Sequence, residues 1–512
     1  MSKILSTMTK FHLLLTALVL CSCNSKKEVQ IQTEKTKPNI VFIFTDDQTY
    51  SSIHALGNDE IITPTMDKLV NEGTTFTHAF NMGSWSGAVC AASRAMLNSG
   101  RFVWRANDFR QNWVKNDSLG KSWGKLLEKA GYETYMTGKW HVDAPADKVY
   151  KNVVHIRPGM PGDAWEHEVM VAKFDSISKI PNANSETIMP NGYNRPKSVN
   201  DTSWSPTDTT QGGFWEGGKH WSEVLKDDAI DFINQAKEIQ KPFFMYLAFN
   251  APHDPRQAPK KYLDMYPLKN ISLPISYLPE YPYRHDIANG DDLRDEALAP
   301  FPRTEYAIKV HKQEYYASIT HVDAQIKLII DALKKSGKMD NTYIFLTADH
   351  GLAMGRHGLL GKQNLFDHSI RPPLVVLGPD IPKNQKIDTD VYLQDIMATS
   401  LEIAGISKPK YVEFNSFLNI AKGETNKGHY DAIYGAYLNV QRMIRKDNFK
   451  LIVYPNINKT LLFDLKNDPE EMDNLSNKKE YKNLLNSMFK ELLELQKDMD
   501  DPLNMTAIYK SI

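Results

Sequence analysis

Three carboxylates follow apolar runs at points where one sheet edge could collect them. Ile40-Val41-Phe42-Ile43-Phe44 ends in Thr45-Asp46-Asp47, and Tyr343-Ile344-Phe345-Leu346-Thr347 ends in Ala348-Asp349-His350-Gly351. Brought together without partners, such carboxylates repel and raise one another's pKa values. A hard divalent cation, calcium or magnesium, removes that conflict. Taken alone, an Asp-Asp pair equally well caps a turn. A third run, Phe243-Phe244-Met245-Tyr246-Leu247-Ala248-Phe249, leads into Asn250-Ala251-Pro252-His253-Asp254-Pro255-Arg256. His253 can move protons near neutral pH or merely cap a loop. Asp254 and Arg256 read as substrate contacts or as an internal ion pair. Cys90-Ala91-Ala92-Ser93-Arg94 joins a thiol to a guanidinium, and by itself a lone thiol is a buried packing residue. Lys139-Trp140-His141 also lies at a strand end, and Lys362 and Asn364 follow the strand that ends at Thr347.

These residues need a scaffold that aligns strand ends. The three apolar runs show no alternation, which is how strands buried on both faces of a parallel sheet read. In open α/β sheets ligands bind at the carboxyl ends of the strands, where the ionisable groups lie here. Helical patterns separate the strands at Pro64 to Gly73, Lys121 to Ala130 (before Gly131) and His311 to Lys335. The expected fold is therefore α/β, a large mainly parallel sheet sandwiched by helices. From about Lys427 the texture changes to short strand-like runs at Ala432 to Leu438, Phe449 to Tyr454 and Leu461 to Leu465. A final helix is expected from about Lys479 to Met499, so residues 427–512 read as a smaller α+β subdomain after a catalytic domain of residues 38–426.

The 512 residues carry 61 Lys+Arg against 62 Asp+Glu. That balance excludes a nucleic-acid binder, which needs a basic excess. Only three cysteines occur, Cys21, Cys23 and Cys90, too few for a disulfide framework or a Cys-rich zinc site. Lys3 and Lys10 precede the apolar run Leu13 to Leu20, which is too short to span a bilayer. Leu20-Cys21-Ser22-Cys23 resembles a bacterial lipobox, giving a signal peptide over 1–22, lipidation at Cys23 and a polar tether over 23–37. An ordinary cleaved signal peptide is the alternative, and either one exports the protein. All nine tryptophans lie between Trp85 and Trp221. Trp165, Trp204, Trp215 and Trp221 fall in a glycine-containing insertion that suits sugar stacking or the packing of an irregular lid.

Taken together, Pro38 to Asp47, Cys90 to Arg94, Lys139 to His141, Asp349 with the Lys362 segment, and Phe463 to Glu470 resemble the formylglycine-dependent sulfatases of the alkaline phosphatase superfamily. The resemblance runs from about Lys37 to the C terminus. It implies an alkaline-phosphatase-like fold and hydrolysis of a sulfuric ester. It also implies oxidation of Cys90 to formylglycine by a maturation enzyme; Ala92 stands where the more frequent family form has proline. Asp46, Asp47, Asp349 and His350, with the residue at 90, would then hold calcium, magnesium being the alternative. His350 is a soft ligand for such an ion, and contact with sulfate or with a supporting group is the alternative. Lys139 and Lys362 would neutralise the sulfuryl oxygens and Arg94 would hold the hydrated aldehyde. His253 would protonate the leaving alcohol, and His141 would take the proton that lets sulfate depart. The substrate implied for an exported, lipid-anchored periplasmic or cell-surface protein of a Gram-negative-type bacterium is a sulfated carbohydrate. Choline or aryl sulfate hydrolysis, a phosphodiesterase or phosphonate monoester hydrolase, and an inactive glycan-binding lipoprotein are the competing readings.

Overall fold

A computed structural model describes residues 36–115, 118–181 and 189–510. Cys21, Cys23 and the expected signal peptide lie outside the described residues, as does nearly all of the expected tether. The apolar runs form the strands expected of them. The main sheet has eight strands: β1 (Asn39–Thr45), β2 (Thr74–Phe76), β3 (Glu133–Lys139), β4 (Asn152–Arg157), β5 (Phe243–Ala248), β6 (Thr342–Ala348), β7 (Leu374–Leu377) and β8 (Gln385–Ile387). Their spatial order is β8-β2-β7-β6-β1-β5-β3-β4. The five strands from β6 to β4 run parallel, whereas β7 runs antiparallel to both β6 and β2.

Every residue of β1 is buried, and its side chains divide between two cores because successive side chains point to opposite faces. Ile40, Phe42 and Phe44 pack with Trp123, Leu127, Ile396 and Leu401 on one face. Val41 and Ile43 pack with Met66, Phe232, Ile319 and Ile326 on the other. The helices that contribute to these two cores are α1 (Pro64–Glu72), α2 (Val89–Ser99), α3 (Trp123–Lys129), α4 (Trp221–Lys237), α5 (Glu305–Lys335) and α6 (Asp395–Ile403). The result is a helix–sheet–helix sandwich.

Two helices differ from the sequence pattern. α5 begins six residues before His311, because the Thr304 side chain accepts the Ala307 N–H at 3.1 Å and caps it there. The segment expected as one helix from Lys121 divides into a 3-10 turn at Ser118–Lys121 and α3, with Gly131 at φ +94° beyond it.

A second sheet is formed by β9 (Ile433–Tyr437), β10 (Gln441–Lys446), β11 (Phe449–Tyr454) and β12 (Lys459–Asp464), in the order β12-β11-β10-β9, with Gly83–Ser84 parallel to β9. Sequence patterning gave no sign of β10. Its buried Arg442 and Arg445 pair with Asp501 and Asp390 at 2.5 Å, so cations occupy positions where apolar residues would mark a buried strand. α7 (Lys482–Asp498) covers this sheet with Leu485, Met488, Phe489 and Leu492. Among the described residues no helix is long and apolar enough to cross a membrane.

Phe42 sits where the face shared with α3 is most crowded, its ring 5.1 Å from those of Trp123 and Tyr246. Phe42→Ala is expected to destabilise the fold by about 3–5 kcal/mol, read as a lowered denaturant midpoint.

Candidate active site

The parallel register assembles this site. Thr45 pairs with Ala348 and Phe44 with Ala248, so β1, β6 and β5 end side by side. Asp46, Asp349 and the loop to His253 therefore emerge at one edge. Backbone bonds continue the alignment: the Asp349 N–H reaches the Thr45 carbonyl and the Asp46 N–H the Ala251 carbonyl, each at 3.3 Å. Asp47 takes a left-handed conformation, φ +66°, and its N–H donates to Asp349 Oδ1 at 3.1 Å.

Lys139 ends β3, whose register against β4 shifts between Thr137 and Gly138. Gly138 sits at φ +91°, and a Cβ there would lie 1.9 Å from the Ala248 carbonyl oxygen. Glycine is thus required at the bulge that delivers Lys139. Cys90 lies in the first turn of α2 and Arg94 one turn further on, four residues apart and on one face.

Arg94 is fully buried and ties the edge together. It donates to Asp349 Oδ2 at 3.0 Å and to the Lys139 carbonyl at 2.8 Å, stands 3.8 Å from Asp46, and lies over the Phe44 ring at 4.6 Å. The Cys90 sulfur is 3.5 Å from both His141 Nδ1 and Lys139 Nζ. Burial pushes this thiol up, but Lys139, Lys362 and His141 outweigh it and hold it well below the ordinary range. A Cβ at residue 159 would fall 2.5 Å from the His141 ring, so Gly159 leaves the room that the imidazole occupies.

The carboxylates are balanced from within. Lys139 pairs with Asp46, and Lys362 contacts both Asp47 oxygens at 2.8 and 3.0 Å. Burial and the neighbouring Asp349 still raise Asp46 above its ordinary pKa, against the pull of Lys139. Asp349 is also buried, yet His350 and Arg94 hold it low. His350 has Nδ1 2.9 Å from the Gly351 carbonyl, so Nδ1 carries the proton, and its Nε2 lies 3.3 and 3.5 Å from Asp47 and Asp349. Burial lowers His350 but the two carboxylates prevail, placing it at about 9. His253 donates from Nδ1 to the Asp254 carbonyl at 2.7 Å, and its Nε2 is 2.8 Å from Lys362 Nζ. Burial disfavours its charge, but Asp254 and Asp47 raise it above the ordinary imidazole value.

The residues present fit a divalent cation. Asp46, Cys90, Asp349 and His350 each present one ligand atom, all within 4.8 Å of one another. Asp46 Oδ1 and His350 Nε2 are buried without a hydrogen-bond partner. A cation placed among them would satisfy both atoms and replace a proton at His350.

Ten of the residues singled out from the sequence converge here: Asp46, Asp47, Cys90, Arg94, Lys139, His141, His253, Asp349, His350 and Lys362. Asp254 and Arg256 turn inward instead. Asp254 lies 3.2 Å from His253 and 3.6 Å from Arg294, and Arg256 contacts His311 at 3.1 Å. Sequence reasoning missed Arg294, Asp295 and Gln363, which line the cavity of about 290 Å³ over Cys90. Arg294 and Asp295 lie in the charged run Asp291-Asp292-Leu293-Arg294-Asp295-Glu296, which carries no strand-end signal and looks like a solvated loop.

The insertion tryptophans do not stack in the site. Trp165 and Trp204 are buried against Tyr193 and Leu298, with Arg195 4.0 Å over the Trp204 ring. Trp215 packs on His220, and Trp221 lies under Arg157 at 4.3 Å. None of the four lines the cavity over Cys90. Trp165 and Trp204 serve the lid-packing alternative, their apolar area consumed within the insertion and its neighbours, whereas Trp215 and Trp221 are half-buried against His220 and Arg157.

Residues 38–406 match the Sulfatase family model, and residues 355–498 match the N-sulphoglucosamine sulphohydrolase C-terminal model. An arylsulfatase of Clostridium perfringens is 29% identical over 90% of this chain and 94% of its own length. An N-acetylglucosamine-6-O-sulfatase of Bacteroides thetaiotaomicron is 26% identical over 97% and 92%. A solved structure in complex with its substrate D-glucosamine-2-N,6-O-disulfate superposes with a TM-score of 0.66 at 23% identity, covering 91% of this chain and 99% of that one. The chain belongs to the sulfatase family, and it is an enzyme that hydrolyses a sulfate ester.

Gly138→Ala should break the bulge that aims Lys139. The expected result is a fall in sulfatase kcat/KM of at least about a hundredfold with a lowered thermal midpoint, read from sulfate release and a melting curve.

Proposed function

We propose that the protein removes O-sulfate groups from a sulfated carbohydrate, using a formylglycine hydrate derived from Cys90 and a calcium ion. The observation that carries the reading is the meeting of Cys90 with Lys139, His141 and Arg94 above a cluster of three buried carboxylates. Carbohydrate is favoured over aryl or choline sulfate by the relative that acts on N-acetylglucosamine 6-O-sulfate.

Calcium would be held by Asp46, Asp47, Asp349 and His350 together with the residue at 90, where it supplies Lewis-acid withdrawal of charge from the sulfuryl group. Carboxylate oxygens form most of this set and favour calcium or magnesium over softer ions. Oxidised by a maturation enzyme and hydrated, residue 90 supplies a geminal diol, one hydroxyl to attack sulfur and the other to expel sulfate afterwards. Arg94 fixes the edge on which that residue stands and keeps Asp349 ionised. Lys139, 3.5 Å from the Cys90 sulfur, and Lys362, on the wall of the cavity over Cys90, would neutralise charge on the transferred group. His253, its Nδ1–H held by the Asp254 carbonyl so that the ring cannot turn, would protonate the leaving alcohol from Nε2 once Lys362, whose ammonium faces that nitrogen at 2.8 Å, has turned to the sulfuryl group. His141, beside the residue 90 side chain, takes the proton whose loss releases sulfate.

We place this chemistry in a domain spanning residues 38–426, braced by the subdomain 427–512. Export through residues 1–22, lipidation at Cys23 and a tether over 23–37 would put it in the periplasm or at the cell surface.

Peptide mass spectrometry of active enzyme tests the central claim. Cys90 should appear as the aldehyde, with CHO in place of CH2–SH, and an unmodified thiol in active enzyme would sink the mechanism. Cys90→Ala should lower turnover by at least about a thousandfold, and chelation should abolish it until calcium is restored. Release of phosphate in preference to sulfate from matched esters would transfer the protein to the phosphodiesterase reading. No turnover of any sulfated sugar, with glycan binding retained, would favour the inactive-lipoprotein reading. For anchoring, Cys23→Ala should move the protein from the membrane fraction to the soluble fraction; an unchanged distribution would refute lipidation there.

A further inference from the structure

A second cavity adjoins the one over Cys90. The inner cavity, about 290 Å³, holds the groups that face the reaction: Cys90, His141, His253, Arg294 and Lys362. The outer cavity, about 240 Å³, is lined by Trp85, Arg110 and Asp143, and shares Ser86, Ala88 and His141 with the inner one. The two adjoin along Ser86, Ala88 and His141, as an inner and an outer lobe. Apart from the shared His141, no side chain of the outer lobe has a part in the chemistry described above.

Its side chains nonetheless form an organised set. Trp85 is half-buried and packs against the cores of both sheets, which holds the indole in a fixed position. Arg110 donates from Nε to Asn107 Oδ1 at 2.9 Å and from one terminal nitrogen to Asp143 Oδ2 at 3.0 Å. Its guanidinium carbon lies 5.8 Å from the centre of the Trp85 ring. A guanidinium has five N–H groups, so most of Arg110's donors are not used by these two bonds. The side chains of Arg110 and Asp143 are 36% and 57% exposed, so a ligand can reach both.

An aromatic face, a fork of donors and a carboxylate acceptor within one small lobe match the two-sided chemistry of a pyranose. Its C–H face packs on an indole, and its hydroxyls or an anionic substituent bond to guanidinium and carboxylate. An aryl sulfate lacks the ring hydroxyls that the guanidinium and carboxylate of the outer lobe would bond. We propose that the Trp85–Arg110–Asp143 lobe is a subsite for a second sugar ring, covalently joined to the ring whose sulfate lies over Cys90, so that the preferred substrate is an oligosaccharide. The proposal rests on the sulfate-ester reading and adds the size of the substrate to it.

The test compares kcat/KM for sulfated monosaccharides and the matching disaccharides from chondroitin sulfate, heparin and carrageenan, with 4-nitrophenyl sulfate as the ring-free reference. Wild-type enzyme should prefer at least one disaccharide over its monosaccharide. Arg110→Gln and Asp143→Asn, both at exposed positions, should each lower the ratio of disaccharide to 4-nitrophenyl sulfate kcat/KM by about tenfold. Trp85→Ala should do the same, with a melting curve to report its folding. Equal wild-type kcat/KM for mono- and disaccharides, or an unchanged ratio in the two polar variants, overturns the subsite and leaves the sulfatase reading standing. No sulfate release from any sugar or from 4-nitrophenyl sulfate overturns both.

Discussion

Three carboxylates held out of water at one sheet edge are the constraint on which the rest of this structure turns. Asp46, Asp47 and Asp349 are all fully buried. Burying a charge costs several kcal/mol unless partners offset it, and a like charge nearby adds to that cost. Parallel strand pairing leaves no freedom to separate them, because the aligned ends of β1 and β6 fix the spacing. The solution is to surround them with cations drawn from distant parts of the chain: Arg94 from a helix, Lys139 from a strand bulge and Lys362 from a loop. Of these cations Lys362 also lines the cavity over Cys90, and Lys139 stands 3.5 Å from the Cys90 sulfur.

That arrangement explains the second ring of buried ion pairs. Arg294 and Asp295 pair at 2.5 Å, and Asp295 also accepts from Gln363 at 2.7 Å. Glu296 accepts the backbone N–H groups of Leu360 and Gly361 at 3.1 and 2.9 Å, fixing the loop that presents Lys362. The second sheet joins in from the other side. Gln441 donates to the Gln363 carbonyl at 2.9 Å, and buried Lys450 pairs with Asp367 and Glu471. The C-terminal sheet therefore acts as a brace for the loop after β6. Its role is positional, which is why buried arginines and a lysine occupy strands that a simple core would fill with aliphatic residues.

Rigidity at the centre contrasts with the walls of the cleft. Trp165 and Trp204 stabilise their insertion by packing inward, which leaves recognition to smaller features near the rim. Trp85, five residues before Cys90, is one of these. Its closeness in sequence to the helix that carries Cys90 and Arg94 couples the recognition surface to the reactive one.

Much of the centre is legible in the amino-acid sequence because each functional residue directly follows an uninterrupted apolar strand or sits in a short motif. Asp46, Asp47, Asp349, His253 and Lys139 announce themselves in this way, and Cys90 with Arg94 lies on one face of a helix by spacing alone. The doubly buried strands and the α/β class follow from the same unbroken runs. What depends on three dimensions is different in kind. Arg294 and Asp295 belong to a run of charges that looks solvated until Asp254, Lys362 and Gln363 close around it. β10 is hidden because its arginines are neutralised by Asp390 and Asp501, residues dozens of positions away. Trp165 and Trp204 carry the right chemistry for sugar, and only their burial shows that packing has claimed them. Local sequence determined which groups could react, since strand ends and helical spacing are local properties. Tertiary structure decided which charges meet and which aromatic faces stay open, since both depend on contacts between segments far apart in the chain.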